Sequence, residues 1–307
     1  MSPGYGLDIT EVTFERLADL ARFCLPEQGN PEFPPERADR MFTSRLEWLQ
    51  GMWDRGLRAW MAYATTEWLF PVQTAPGRSA SIPPDPERIA CDAASSVGSG
   101  LIPVGFIECL PIEVAPRGVK GKDLTFITCL WVKPASARGR GVASALLHSA
   151  EEGARRRSRG MAAVAYEHSH HKPAQFFHRH GYSPVSSRRG RVIVFKAFSG
   201  EACPPAWLEA RPGLGLAAGR DTACPRVALF WSGQCPYFLS GAEDMRDWVA
   251  GAGRAVDFRE IRTDDRAVAE LHGVAGGIFV NGVQVDDGPT SRDDLWRLLD
   301  RATGMRP

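Results

Sequence analysis

Arg138-Gly139-Arg140-Gly141 is the segment of this chain best equipped to hold an anion. Two guanidinium groups alternate with two glycines, and Val142-Ala143-Ser144-Ala145-Leu146-Leu147 then opens a helix. The first amides of a helix lack an intrahelical partner and carry the positive end of its dipole. Glycine lets the backbone approach whatever sits against those amides. The combination is a cradle suited to a pyrophosphate. A second set of side chains could move protons. Glu108 interrupts an apolar run, and five of the seven histidines cluster at 168, 170, 171, 178 and 180. An imidazole titrating near neutrality suits a general base, whereas a loop histidine is also a common solvated group, so both readings of His168 and His170 stay open. His170 and His171 with His178 or His180 could converge on a metal, but no neighbouring Cys or Asp completes a ligand set, and no metal is expected. Cys129 sits in an apolar run, where a buried and inert thiol is the ordinary case. Cys235, followed by Pro236 at a helix start, is open to a thiolate of lowered pKa.

These groups need elements to aim them. Leu124 to Val132 is apolar and rich in β-branched and aromatic residues, which predicts a buried strand leading into the glycine turn. Pro134 ends it, because proline cannot donate to a sheet ladder. After the turn, apolar positions 142, 145, 146 and 149 predict one helix to Arg157, whose basic last turn matches the helix dipole. Upstream, Gly6 to Val12 reads as a strand, and Thr13 can cap a helix through Phe14, Leu17, Leu20 and Phe23. A helix from Arg37 to Arg55 follows the Pro-rich break at 30–35, then strands over Leu57 to Ala64 and Ile102 to Ile112. The segment from Glu67 to Ser99 holds five prolines and reads as an extended insertion, with a brief helix near Ile89 to Ala94. Downstream, Ala162 to Tyr166 is a strand, Pro173 starts a helix that Gly181 stops, and Arg191 to Phe198 is a closing strand.

Composition bounds the rest. A chain of 307 residues is long enough for two cores. Lys and Arg number 37 against 36 Asp and Glu, a net charge of +1, so no global field draws in nucleic acid or membrane. No run of apolar residues is long enough to span a bilayer, and the first residues lack the basic and apolar regions of a signal peptide. Seven cysteines, an odd and scattered set, do not form a disulfide framework. A reduced, cytoplasmic protein is the expectation.

The strand, glycine turn and helix resemble the acyl-CoA signature of the GNAT N-acetyltransferase superfamily, which runs Gln or Arg, two residues, Gly, one residue, then Gly or Ala. Arg138, Gly141 and Ala143 meet it, after the family-like Val132-Lys133-Pro134. Ala174-Gln175-Phe176-Phe177 with Gly181-Tyr182 resembles a second landmark of that family. The resemblance extends over residues 1–198 and implies a mixed α/β sheet flanked by helices. It further implies that Cys129, Leu130, Trp131 and Val132 pair with a pantetheine arm. Amides from Gly139 through Val142 to Ala143 would take the pyrophosphate, with charge from Arg138 and Arg140. His171 stands where the family often has an Asn that contacts CoA, and Phe177 belongs to the same surface. The thioester would lie where two strands splay apart, attacked directly by an amine in a ternary complex. Two family positions depart. Phe177 replaces the Tyr that many members use as an acid, and Thr128 replaces a frequent carboxylate. Glu108, His168 and His170 are the candidate substitutes in proton transfer.

Residues 199–225 are rich in Pro, Gly and Ala and read as a linker. In residues 226–307, a strand at Val227 to Trp231 precedes a helix from Pro236 to about Ala252. A strand at Ala255 to Ile261, a helix over Asp264 to Leu271, a hairpin turning at Asn281-Gly282 and a helix from Asp293 to Arg301 complete the order. That order resembles the thioredoxin fold, and Cys235-Pro236-Tyr237 with Phe279-Val280-Asn281-Gly282 resembles glutaredoxins. The second cysteine of their motif is Phe238 here, and the cis-proline position is Gly276, so an internal dithiol cycle is excluded. A docking or substrate-shaping role is the alternative. The chain is therefore read as an acyltransferase taking acetyl-CoA, or another acyl-CoA, and a small-molecule amine. An acyl carrier protein is an alternative donor. A thiol protein centred on Cys235 and a non-catalytic CoA-binding module are the other readings.

Overall fold

The computed structural model describes residues 6–27, 29–70, 100–209, 224–251, 253, 255–285 and 291–303. It divides into two compact units, the first comprising 1–38, 49–113 and 121–206, the second 39–48, 114–120 and 207–307. The expected helix at Ile89 to Ala94 and most of the expected linker lie outside the described residues.

A seven-stranded mixed sheet organises the first unit. Its strands are β1 (Leu7–Glu11), β2 (Arg58–Thr65), β3 (Leu101–Pro111), β5 (Leu124–Val132), β6 (Gly160–Tyr166), β7 (Ser183–Arg188) and β8 (Arg191–Ala197), ordered β1-β2-β3-β5-β6-β8-β7. Every pairing is antiparallel except β5 with β6, which is parallel. The helices of this unit are α1 (Leu17–Phe23), α3 (Thr66–Leu69), α4 (Val142–Arg155) and α5 (Ala174–Arg179); α2 (Pro35–Trp53) has residues in both units. The two-residue strands β4 (Val119–Lys120) and β9 (Ala206–Trp207) stand apart from this sheet.

Packing follows the apolar pattern. Val142, Leu146, Leu147, Ala150 and Ala154 form the buried stripe of α4 and meet Ile107, Cys109, Ile127, Leu130 and Ala163 from the sheet. Such an i, i+4, i+8 stripe is what holds a helix on a sheet. Close approach depends on two glycines. A Cβ on Gly105 would lie 3.0 Å from the Trp131 carbonyl oxygen and 3.1 Å from Leu146, and one on Gly153 would lie 2.8 Å from Trp60. On the other face, Phe23 of α1 stacks edge-to-face on Phe106 of β3, centroids 5.7 Å apart.

The expected strands and helices of this unit are present with ends moved by a residue or two. Thr13 differs: it precedes a 3-10 turn over Phe14–Arg16 and makes no side-chain capping bond. The strand β7 is an addition to the expected set, since Ser183-Pro184-Val185-Ser186-Ser187-Arg188 is polar and largely exposed at the sheet edge, where no apolar alternation marks it.

The second unit holds a four-stranded sheet ordered β11-β10-β12-β13, from β10 (Arg226–Trp231), β11 (Asp257–Arg262), β12 (Gly277–Val280) and β13 (Val283–Val285). β10 and β11 are parallel, and the other pairs are antiparallel. Its helices are α6 (Pro236–Ala250), α7 (Arg266–His272) and α8 (Arg292–Thr303). Asn281 and Gly282 both take positive φ, +48° and +80°, as a two-residue hairpin turn of the primed type requires. Arg266 ties α7 to the segment 115–119, its Nη1 donating to the carbonyls of Ala115, Arg117 and Val119 at 2.8, 3.2 and 2.7 Å.

Candidate active site

β5 and β6 pair only from Leu124 with Gly160 to Ile127 with Ala163. Beyond Ile127 the two strands run on without a shared ladder, which leaves a gap in the middle of the sheet. On its other side β5 remains paired with β3, but the register slips: Glu108 faces Cys129, Cys109 faces Ile127, and Thr128 is the extra residue. Such a bulge bends a strand and re-aims its side chains. Ile127 and Leu130 consequently both join the core under α4.

The bulge and the gap meet at a buried polar cluster. Glu108 is fully buried and Thr128 nearly so. Thr128 Oγ1 donates to Glu108 Oε1 at 2.5 Å and also approaches the Glu108 carbonyl oxygen at 3.1 Å. Lys172, itself buried, donates from Nζ to the Thr128 carbonyl at 3.3 Å. The loop that carries Lys172 returns to β6, for the Tyr166 amide donates to the Lys172 carbonyl at 3.0 Å. Lys172 takes φ +45°, which non-glycine residues rarely adopt. Around the cluster, His171 packs against Trp131 and Tyr166, with ring centroids 5.3 and 5.9 Å away. Nothing in Ser169-His170-His171-Lys172 marks the lysine as an interior residue, and sequence reasoning misses it.

The glycine loop lies one turn further along the chain from β5. Gly139 and Gly141 take φ +72° and +84°, and a Cβ on either would meet no atom within 4 Å. The glycines therefore serve backbone conformation and leave open space beside the start of α4. Gly141 is the N-cap of α4 in the left-handed region. The flanking arginines are held by aromatic faces: Arg138 lies 5.4 Å from the Trp131 ring centroid and donates to the Val132 carbonyl at 3.1 Å, and Arg140 lies 3.6 Å from that of Trp68. Two cations thus stand beside the helix start, where an anion gains from the dipole as well. Arg138, Gly139, Arg140, Gly141, Val142 and Ala143, the expected cradle residues, lie together at the head of α4, and Leu130, Trp131 and Val132 form the stretch of β5 that leads to them.

The remaining sequence candidates are scattered around this centre. His168 and His170 are exposed in the turn after β6. Phe177 is fully buried on α5, edge-to-face with Phe176 and Tyr182. His180 lies with Nδ1 2.8 Å from the Phe176 carbonyl and Nε2 3.0 Å from Ser144 Oγ, so it links α5 to α4. Burial pushes the Tyr182 hydroxyl far up, and the nearby Glu151 adds to it. The Cys109 thiol is likewise raised by burial, and the neighbouring Glu108 contributes.

In the second unit, Cys235 is the N-cap of α6. Its thiol is raised, and the expectation open from the sequence, a lowered pKa, is corrected. Burial outweighs the Tyr237 and Phe238 amides and the positive charges of Arg45 and Arg117, all of which act to lower it.

Comparison with known proteins bears on the first unit. Residues 53–182 match the model of the acetyltransferase (GNAT) family. Among solved structures, the PaiA N-acetyltransferase of Thermoplasma acidophilum, in complex with coenzyme A, is 13% identical, covering 62% of this chain and 99% of its own at a TM-score of 0.36. An acetyltransferase of Thermus thermophilus is 17% identical over 63% of this chain and 97% of its own, and an aminoglycoside 6'-acetyltransferase type Ii is 14% identical over 63% and 99%, each with a TM-score of 0.36. No curated protein matches the chain. The parallel pair β5–β6 and the glycine loop at the head of α4 lie within the segment 53–182 that matches the acetyltransferase (GNAT) family model.

Proposed function

We propose that the chain is an N-acyltransferase that moves an acetyl group from acetyl-CoA to a small-molecule amine by direct attack in a ternary complex. The observation that carries this is the end of the β5–β6 ladder at Ile127 and Ala163, beside a strand that leads into the glycine loop of α4. An extended pantetheine arm fits such a gap as an added strand, using backbone groups of Leu130, Trp131 and Val132. The pyrophosphate takes the amides from Gly139 to Ala143 and the charges of Arg138 and Arg140. His171 and Phe177 complete the proposed surface for the coenzyme. For proton removal from the acceptor, Glu108, His168 and His170 are the proposed groups. Glu108 is the one that touches the bulge, through Thr128. The two histidines are exposed and free to meet an entering substrate.

The second unit supports a reading as a thioredoxin-like module without thiol chemistry. Its βαβ-ββα order and its sheet order β11-β10-β12-β13 favour that likeness. The raised Cys235 thiol speaks against a nucleophilic role.

Isothermal titration with acetyl-CoA tests the assignment. The wild type is expected to bind in the micromolar range, and the Gly139→Glu, Gly141→Glu double variant to lose binding, because two carboxylates would stand where the phosphates must. Absence of binding by the wild type removes the acetyl-CoA assignment. Binding that survives in the double variant removes the cradle. A screen of amines for thiol release then identifies the acceptor.

A further inference from the structure

Thioester transfer leaves one task without an obvious residue, because the departing thiolate needs a proton. The position at which the resembled family often carries a phenol is Phe177, apolar and fully buried. Lys172 stands elsewhere. Thr128 is the first residue of β5 beyond the β5–β6 ladder, and the Lys172 ammonium is hydrogen-bonded to its carbonyl at 3.3 Å. The ammonium therefore sits at the head of the gap between the strands. A buried ammonium is costly unless compensated. Here the ammonium donates to the Thr128 carbonyl, and the hydroxyl of that same threonine is bound to Glu108. The residue also holds a left-handed backbone conformation, φ +45°, of the kind that a structure maintains where a side chain must be aimed.

We propose that Lys172 is the acid of the reaction, donating a proton from Nζ to the sulfur of the departing coenzyme A. The inference rests on the reading of the gap as the thioester site. In the step, the lone pair of the acceptor nitrogen forms a bond to the thioester carbonyl carbon, and the carbon–sulfur bond breaks with its electron pair passing to sulfur. Lys172 then gives one proton to that sulfur and is left a neutral amine. The acceptor nitrogen gives one proton to the group proposed for its removal, Glu108, His168 or His170, which passes it to solvent, and Lys172 recovers one from solvent. The charged and titratable groups around the spot are Glu108 behind Thr128, Tyr166, whose ring centroid is 5.9 Å from Nζ, His171 against Tyr166, and Arg138 over Trp131. Lys172 is the cation bonded to the first residue of β5 beyond the ladder.

The product complex tests this without knowledge of the acceptor. Coenzyme A is bound to the full-length protein, and the alkylation of its thiol by iodoacetamide is followed from pH 6 to 10, with the adduct weighed on the coenzyme. A cation against the sulfur is expected to lower the thiol pKa of bound coenzyme A by about one unit or more. Lys172→Gln keeps a donor for the Thr128 carbonyl without the charge and should return the thiol to its free value. Lys172→Arg should retain the shift. A thiol that titrates in the wild-type complex as it does free in solution overturns the proposal with no variant needed. So does a shift that persists in Lys172→Gln. Failure of the wild type to bind coenzyme A at all overturns the transferase reading together with it, and a prior binding titration separates that case from the others.

Discussion

Lys196 of β8 and Glu151 of α4 form a two-pronged ion pair, with Nζ 2.9 and 2.8 Å from the two carboxylate oxygens. The same ammonium donates to the His180 carbonyl at 2.9 Å, which brings the end of α5 into the link. The carboxylate side chain is 9% exposed. Removing Lys196 leaves this buried carboxylate only the longer pair with the half-exposed Arg155, 3.9 Å away, and Lys196→Met should therefore cost about 2 kcal/mol in chemical denaturation. A double variant with Glu151→Leu should recover much of that, because an apolar pair has no charge to strand.

Glu108 and Thr128 form the polar centre of the bulge. Thr128→Val removes the hydroxyl while keeping the shape, and leaves Glu108 without that donor. The expected cost is about 2 kcal/mol in stability, from one buried carboxylate losing a hydrogen bond. If Glu108 takes the acceptor's proton, Glu108→Gln should lower kcat at least tenfold in the acetyl-transfer assay and leave acetyl-CoA affinity within about threefold. Equal kcat for Glu108→Gln and wild type would assign the carboxylate to structure alone.

Arg266 offers a test confined to the second unit. Its guanidinium serves three carbonyls in the segment 115–119, and its Nε pairs with Glu270 at 2.8 Å. The side chain is 8% exposed, so Arg266→Met should cost about 3 kcal/mol through carbonyls left without a donor. Lys should restore only part of this, since an ammonium cannot reproduce the reach of the planar fork. Hydrogen exchange at 115–119 should rise in the Met variant.

A pH response follows from Glu260. Arg246 donates to both of its oxygens, at 2.6 and 2.8 Å, and Trp231 Nε1 donates at 2.6 Å. Bonding to Arg246 holds its carboxyl below the usual range, against the opposing effect of burial. A depressed folded pKa contributes stability that is present above the unfolded value and lost as pH falls through the folded one. Glu260→Gln should therefore narrow the stability difference between neutral and acidic pH, measured by urea unfolding at pH 7 and pH 3. An unchanged difference would assign the acid response to other carboxylates.

The elements around the site are legible because each leaves a local mark. The apolar run Leu124–Val132 is the strand as found, Gly141 stands at the head of α4, and Asn281-Gly282 turns the hairpin. These are properties of neighbouring residues. The polar cluster is not. Thr128 lies 20 residues from Glu108 and 44 from Lys172 along the chain, and their contact depends on a bulge and a loop conformation that no periodicity announces. Cys235 misleads for a related reason. The helix start and its amides can be read from Cys235-Pro236-Tyr237, but the burial that raises the thiol comes from the packed unit.

The extra residue at Thr128 reverses the parity of β5. Before it, Ile127 points into the core beneath α4, and after it Leu130 does, three positions on. Against a strand without this extra residue, an ungapped alignment would carry every side chain beyond this point to the wrong side of the sheet. Trp131 would be assigned to the interior and Leu130 to the ligand. Within β5, pairwise structural superposition at the Glu108–Thr128 bond is thus the proper origin for counting, and a deletion of Thr128 would act on Cys129, Leu130, Trp131 and Val132 together, as though four substitutions had been made at once.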